Sequence, residues 1–155
     1  MKLNIGNTQV GVAGEYLAAG ELTLRGYVSS ITLRNSRGID IIVSNAEGTC
    51  SITVQVKTNG KGGRSWLLSK KSEPFFSERH VYIFVSIQGL GVRPDYYVVP
   101  SKEVVNQIKT NHQNWIRGRK RNGEPRKDSK MRKFRDPDGK YLEAWEIISR
   151  LLVKE

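Results

Sequence analysis

Between Gln9 and Arg25 the apolar side chains Val12, Ala13, Tyr16, Leu17, Ala19 and Leu24 recur mostly at helical spacing, and Gly26 follows as a C-terminal stop. The pattern predicts an amphipathic helix. Three stretches with the apolar runs and alternation of strands come next, Tyr27 to Leu33, Ile39 to Ser44 and Cys50 to Thr58, separated by Asn35-Ser36-Arg37-Gly38 and Asn45-Ala46-Glu47-Gly48. The second connection reads as a hairpin turn. A glycine-rich loop, Asn59 to Arg64, leads into Ser65 to Glu78, where a short helix is the expectation, and then into two strands, His80 to Ile87 and Tyr96 to Val99. Pro100-Ser101 opens a helix with Ser101 as its N-cap and Val104, Val105 and Ile108 as its apolar face. A last helix, about Tyr141 to Val153, aligns Leu142, Trp145, Ile148, Leu151 and Leu152. The order predicts an α/β fold with a central mixed β-sheet flanked by helices.

A chain of 155 residues with 37% hydrophobic content fills one core, so a single domain is expected: a core over about 9–100, a basic arm over 113–135 and a C-terminal helix over 141–154. No apolar run approaches the roughly 20 residues that cross a bilayer, and the first residues do not read as a signal peptide. A soluble, cytoplasmic protein without membrane partners is the expectation. Cys50 is the one cysteine, so it has no partner for an internal disulfide and reads as a small strand residue.

Charge changes the picture more than size does. The net charge is +11, and most of it sits in one segment, where Arg117, Arg119, Lys120, Arg121, Arg126, Lys127, Lys130, Arg132, Lys133 and Arg135 face only Glu124 and Asp128. Few apolar residues lie there, so the segment is expected to be an arm packed only at Trp115 and Phe134. Its chemistry suits a polyanion, with affinity gained by counterion release rather than by sequence reading.

Polar residues interrupt the meander where a structural sheet has no need of them. Asp40 lies inside Gly38-Ile39-Asp40-Ile41-Ile42-Val43, and Gln55 and Lys57 interrupt Ile52-Thr53-Val54-Gln55-Val56-Lys57. Residues two apart on a strand share a face, so Gln55 and Lys57 project together, and the hairpin can set Asp40 beside them. Such groups buried without partners cost several kcal/mol, so they should share a site or reach water. Asp40, the Gln55 side-chain oxygen and the Val56 carbonyl are hard oxygen ligands of the kind Mg²⁺ or Mn²⁺ takes. Lys57 could orient a water and stabilise charge on a phosphate. The chemistry read from these residues is phosphodiester hydrolysis.

Glu15 on the first helix, Gly38-Ile39-Asp40 at the start of the second strand, and Gln55-Val56-Lys57 on the third, with fourteen residues between Asp40 and Gln55, resemble the PD-(D/E)XK nuclease superfamily, the restriction-endonuclease-like and Holliday-junction-resolvase-like fold. The resemblance extends over Val10 to Thr58. It implies Asp40 as the principal metal ligand, Lys57 as the catalytic lysine, and Glu15 as a helix-borne acid contributing to metal or water binding. It departs from the pattern at Ile39, where the family name has proline, and at Gln55, where the second acid usually stands; this resembles the QxK variant. A neutral amide weakens metal binding unless Glu15 supplies the missing carboxylate. The implied activity is a metal-dependent endodeoxyribonuclease acting on DNA, with RNA left open. Cutting both strands of a duplex would call for a homodimer.

Other features carry less. Pro94-Asp95 matches the family name literally, but no acid-x-Lys strand follows, and it reads as a turn. Asp136-Pro137-Asp138-Gly139 reads as a turn ahead of the last helix. Asn59 to Arg64 lacks the ending of a phosphate loop. His80 and His112 begin no ligand pair, and the residues around His112 lack the second histidine of an HNH nuclease. Trp145 reads as core, whereas Trp66 and Trp115 border basic loops and either stack on bases or anchor those loops. Two further readings fit the same residues: a nucleic-acid-binding module of this fold without catalysis, and an interaction protein whose basic arm meets an acidic partner, with Asp40 and Lys57 far apart.

Overall fold

The computed structural model describes residues 3–33 and 37–153. Asn35 and Ser36 of the first predicted connection lie outside them. The predicted helix forms as α1 (Asn7–Leu24). Gly26, at φ 87°, takes the left-handed conformation that lets the Tyr27 N–H reach back to the Leu22 carbonyl at 3.2 Å and end the helix. Its buried stripe is Val10, Gly14, Ala18 and Leu22, and Tyr16 and Leu24 are exposed. The predicted apolar face is therefore displaced. The cause is Gly14, where an added Cβ would stand 1.8 Å from the Thr58 hydroxyl, so that only a stripe of small residues lets the helix backbone approach the sheet this closely.

The meander forms as β1 (Val28–Ile31), β2 (Ile41–Ser44) and β3 (Ser51–Asn59), paired antiparallel, with Gly48 at φ 68° in the β2–β3 turn. The expected short helix near residue 65 is instead a strand, β4 (Ser65–Ser69), followed by one 3₁₀ turn, Lys70–Ser72. Then come β5 (His80–Ser86), β6 (Asp95–Pro100) and α2 (Ser101–Ile116). Ser101 does not cap α2. Its hydroxyl donates to the Ser77 carbonyl at 2.8 Å and accepts the Ser77 N–H, and Pro100 holds the cap position.

The main sheet runs β1-β2-β3-β5-β6, with β3 and β5 parallel and the other pairs antiparallel. Alternation along β3 and β5 divides the core. Val54, Val56, Val81, Ile83 and Val85 pack with α1 and the C-terminal segment on one face, while Tyr82, Phe84, Tyr97 and Val99 pack with Val104 and Ile108 of α2 on the other. The fold is thus a mixed α/β domain with its central mixed sheet between helices, as the residue pattern predicts.

The basic segment is more ordered than expected. Met131–Arg135 forms β7 and pairs antiparallel with β4 in a separate two-stranded ribbon. Its inner row, Trp66, Leu68, Arg132 and Phe134, is buried against the second face of the sheet. Trp66 is therefore core and donates its indole N–H to the Val85 carbonyl at 3.0 Å. The last helix is shorter than expected, α3 (Glu146–Leu151). The Asp136 carboxylate captures the Lys140 and Tyr141 N–H groups at 2.9 Å each, and residues 141–143 pair with β6 through Val98 and Tyr96 rather than coil. Among the described residues no helix is long and apolar enough to cross a membrane.

Candidate active site

Asp40 stands one residue before β2. Thr32 N–H donates to its carbonyl at 2.9 Å, and its own N–H donates to the Val54 carbonyl at 2.8 Å, which clamps its backbone between β1 and β3. Gly38 precedes it at φ 70°, with the Phe75 ring 3.1 Å from where a Cβ would stand, so the approach to β2 is open only to glycine.

Pairing between β2 and β3 starts at Ile41 and Val54, so β3 continues past the end of its neighbour. The Asp40 carboxylate takes the place of a backbone acceptor there, receiving the Val56 N–H at 2.7 Å. Burial pushes the Asp40 carboxyl above its ordinary value, opposed by the Val56 hydrogen bond and by the nearby Lys57 charge. A half-buried acid perturbed by burial with a specific charge partner is a candidate for a working site.

Gln55 and Lys57 project together from β3, beside Tyr82 and Phe84 of β5. Both line a hollow of about 370 Å³ that also takes in Gly38, Leu68, Ser72 and Phe75. The structure therefore brings Asp40, Val56, Lys57 and Gln55 to one end of β2 and β3. Glu15 is half-buried on α1, one residue beyond the Gly14–Thr58 contact. That helix packs on the face opposite to the one Gln55 and Lys57 share. Among the described residues no three His, Cys, Asp or Glu side chains cluster as a metal site, so any ion here must draw on amide and backbone oxygens as well as carboxylates.

Residue patterns alone missed two buried polar groups on β5, which pairs with β3. Tyr82 is fully buried and its hydroxyl has no hydrogen-bond partner at ordinary geometry; burial raises its pKa, with the Ser72 hydroxyl and the Asp40 charge acting on it from nearby. His80, also buried, shares a 2.7 Å hydrogen bond with Thr53 through Nδ1 and leaves Nε2 unpartnered. Burial lowers its pKa to about 4. The signal available in sequence was two polar tips, His80 and Tyr82, inside a strand that is otherwise apolar.

The arm divides by role. Arg132 is corrected from a nucleic-acid contact to an internal one: its side chain is 3% exposed, points inward from β7, and pairs with Glu73 and Asp128. Lys120 pairs with Glu124, and Arg119 donates to the Gly123 carbonyl, closing a small turn. Arg126 donates to the Trp115 carbonyl and lies over the Trp115 ring. Arg117, Arg121, Lys127, Lys130, Lys133 and Arg135 are exposed. His112 is bound to Asp128, which Lys70 and His112 hold down to a pKa of about 2.

No protein-family model matches the chain, and no curated protein sequence does either. Solved structures do. A bacterial homing endonuclease superposes with a TM-score of 0.55 at 13% identity, covering 94% of this chain and 92% of its own. A Holliday junction resolvase from Archaeoglobus fulgidus aligns with a TM-score of 0.47 at 12% identity, over 81% of this chain and 84% of its own. The chain has a restriction-endonuclease-like fold.

Proposed function

We propose that this fold, with Asp40, Val56, Gln55 and Lys57 meeting at one strand end, makes the chain a metal-dependent nuclease that hydrolyses phosphodiester bonds of DNA. The observation that carries the reading is the Asp40 carboxylate, bound to the Val56 N–H at 2.7 Å and within the field of Lys57. That proximity argues against an interaction protein in which Asp40 and Lys57 lie apart.

The donor set is hard oxygen throughout, which fits Mg²⁺ or Mn²⁺. Asp40, the Gln55 amide oxygen and the Val56 carbonyl would hold the ion; Glu15, carried by the helix on the opposite face, is not among the groups gathered there. When bound, the ion supplies a Lewis acid for the phosphate and acidifies water at neutral pH. The Val56 N–H fixes the rotamer of the Asp40 carboxylate. Lys57 presents its ammonium to the same hollow, where it orients the attacking water and offsets charge that develops on the phosphate. The exposed cations of the arm hold the phosphate backbone. Cutting both strands of a duplex would take two copies of this single site.

The test is cleavage or nicking of DNA with Mg²⁺ or Mn²⁺. Asp40→Ala and Lys57→Ala should each abolish it while DNA binding persists; full activity in either variant overturns the assignment. The neutral Gln55 favours a second reading, a binding module of this fold that has lost catalysis. Under it no substrate is cut with either ion, DNA binding falls steeply with salt, and Gln55→Glu raises metal affinity.

A further inference from the structure

The β4–β7 ribbon turns one row of side chains inward and the other outward. Outward lie Leu67 and Met131, 58% and 57% exposed, together with Lys133 and Arg135, and neither strand carries an acid. The row thus sets apolar contact surface among cationic tips, a combination that suits a polyanion with apolar groups on its edge. In register, Leu67 stands opposite Lys133 and Ser65 opposite Arg135.

Lys133 and Arg135 enter none of the ion pairs among the described residues, in contrast to Arg132 just before them. Their backbone is nevertheless pinned. Gln107 of α2 accepts the Arg135 N–H at 2.8 Å, and Asn111 reaches the Lys133 carbonyl at 3.5 Å. The row is a rigid platform with free cationic tips.

Position supplies the rest. Leu67 lines the hollow that holds Gln55 and Lys57, a second that runs from Lys57 to Lys133, and a third bounded by Trp115, Met131 and Arg135. Three hollows, one of them the candidate catalytic one, therefore meet at the exposed Leu67 on the ribbon. Two strands about 4.8 Å apart fit a major groove about 12 Å wide. At about 3.4 Å per residue, the three outward pairs span roughly four base pairs.

We infer that the outer face of the β4–β7 ribbon enters the major groove of duplex DNA and reads base edges, with Lys133 and Arg135 donating to guanine and Leu67 and Met131 contacting thymine methyl groups. The inference rests on the nuclease reading for its substrate, though not on catalysis. It separates two kinds of cation, base-reading ones on the ribbon and phosphate-binding ones on the arm. It also excludes duplex RNA, whose deep, narrow major groove side chains cannot read.

Full-length protein carrying Asp40→Ala, which keeps DNA intact, is used to select bound duplexes from a randomised pool, alone and with Lys133→Ala, Arg135→Ala or Arg135→Gln added. The parent should enrich a short motif containing guanine. Lys133→Ala and Arg135→Ala should each lower affinity for it about 10- to 100-fold, with little effect on unrelated duplex, and Arg135→Gln should move one preference from guanine to adenine. Arg121→Ala on the arm should weaken both duplexes alike and lower the salt slope by about one. Equal losses on both duplexes from the ribbon variants, no motif from the parent, or equal binding of duplex RNA overturns the ribbon assignment. A parent that binds no DNA overturns the nuclease reading itself.

Discussion

Gly14→Ala is expected to unfold the protein more readily, against the ordinary effect of that substitution in a helix. Replacing glycine by alanine inside a helix stabilises it by roughly 0.5–1 kcal/mol, because glycine loses more backbone freedom on folding. Gly11 and Gly20, also in α1, have nothing within 4 Å of an added Cβ and should show that gain. At Gly14 the added Cβ falls 1.8 Å from Thr58 Oγ1 and 2.9 Å from both Thr58 Cβ and Cγ2. Overpacking costs about 1–3 kcal/mol, and a β-branched neighbour on a central strand cannot swing aside, so the upper end applies. The net loss is about 2 kcal/mol, or a fall in Tm of roughly 4–8 °C in a chain of this size, where Gly20→Ala raises it by about 2–4 °C. Thr58→Ala removes Oγ1 and Cγ2 and should recover part of the loss in the double variant, giving a coupling of about 0.5–3 kcal/mol. Thermal melts of wild type, the three single variants and the double variant decide it. A Gly14→Ala protein as stable as Gly20→Ala would refute the close approach of α1 to β3.

Three other outcomes follow from buried charge. His80 has a folded pKa of about 4 against an ordinary 6.5. Below pH 6.5 the unfolded chain takes up a proton that the folded one refuses, so stability falls between pH 6.5 and about 4 by roughly 3 kcal/mol. Urea unfolding of His80→Gln should lack that slope, and an unchanged slope would count against burial as its cause. Arg132→Ala strands Glu73 in a mostly buried position and should cost about 3–5 kcal/mol, whereas a loss under about 1 kcal/mol would restore Arg132 to the surface. Asp40 has a raised pKa, so the folded form binds the extra proton; its contribution to stability declines as pH rises from the ordinary 3.8 through the folded value and stays low above it. Asp40→Asn, which still accepts the Val56 N–H, should melt higher than wild type at neutral pH while losing cleavage. A lower Tm would mean that the carboxylate is structural.

The contrast between Asp40 and the ribbon explains what was legible in sequence and what was not. Asp40, Gln55 and Lys57 stood out because each breaks an apolar run on a short-range meander, where neighbouring strands are also neighbours in the chain. The α1 face was misjudged because its contact is made by Gly14 and Ala18, which carry little hydrophobic signal, while the larger Tyr16 and Leu24 stay exposed. β7 was hidden for a different reason. Its inward row is Arg132 and Phe134, and an inward arginine neutralised by Glu73, 59 residues earlier, leaves no alternation to read. Its partner β4 lies equally far away, across the whole of β5, β6 and α2. Long-range pairing of this kind is fixed by which charges can be buried together, and a local pattern does not encode it.

The same logic bears on Gln55. An acid there would add a second carboxylate beside Lys57, whose field the half-buried Asp40 already shares. With the amide, the hollow holds less negative charge, and Lys57 is left free to face a phosphate rather than neutralise a neighbour. On the nuclease reading proposed above, the site would exchange intrinsic metal affinity for attraction to a polyanion, to which a net charge of +11 is suited. Gln55→Glu should consequently tighten Mn²⁺ binding and at the same time weaken binding of DNA in the absence of metal, measured by titration of each ligand separately. If the two affinities move in the same direction, Gln55 is not tuning the charge of the hollow.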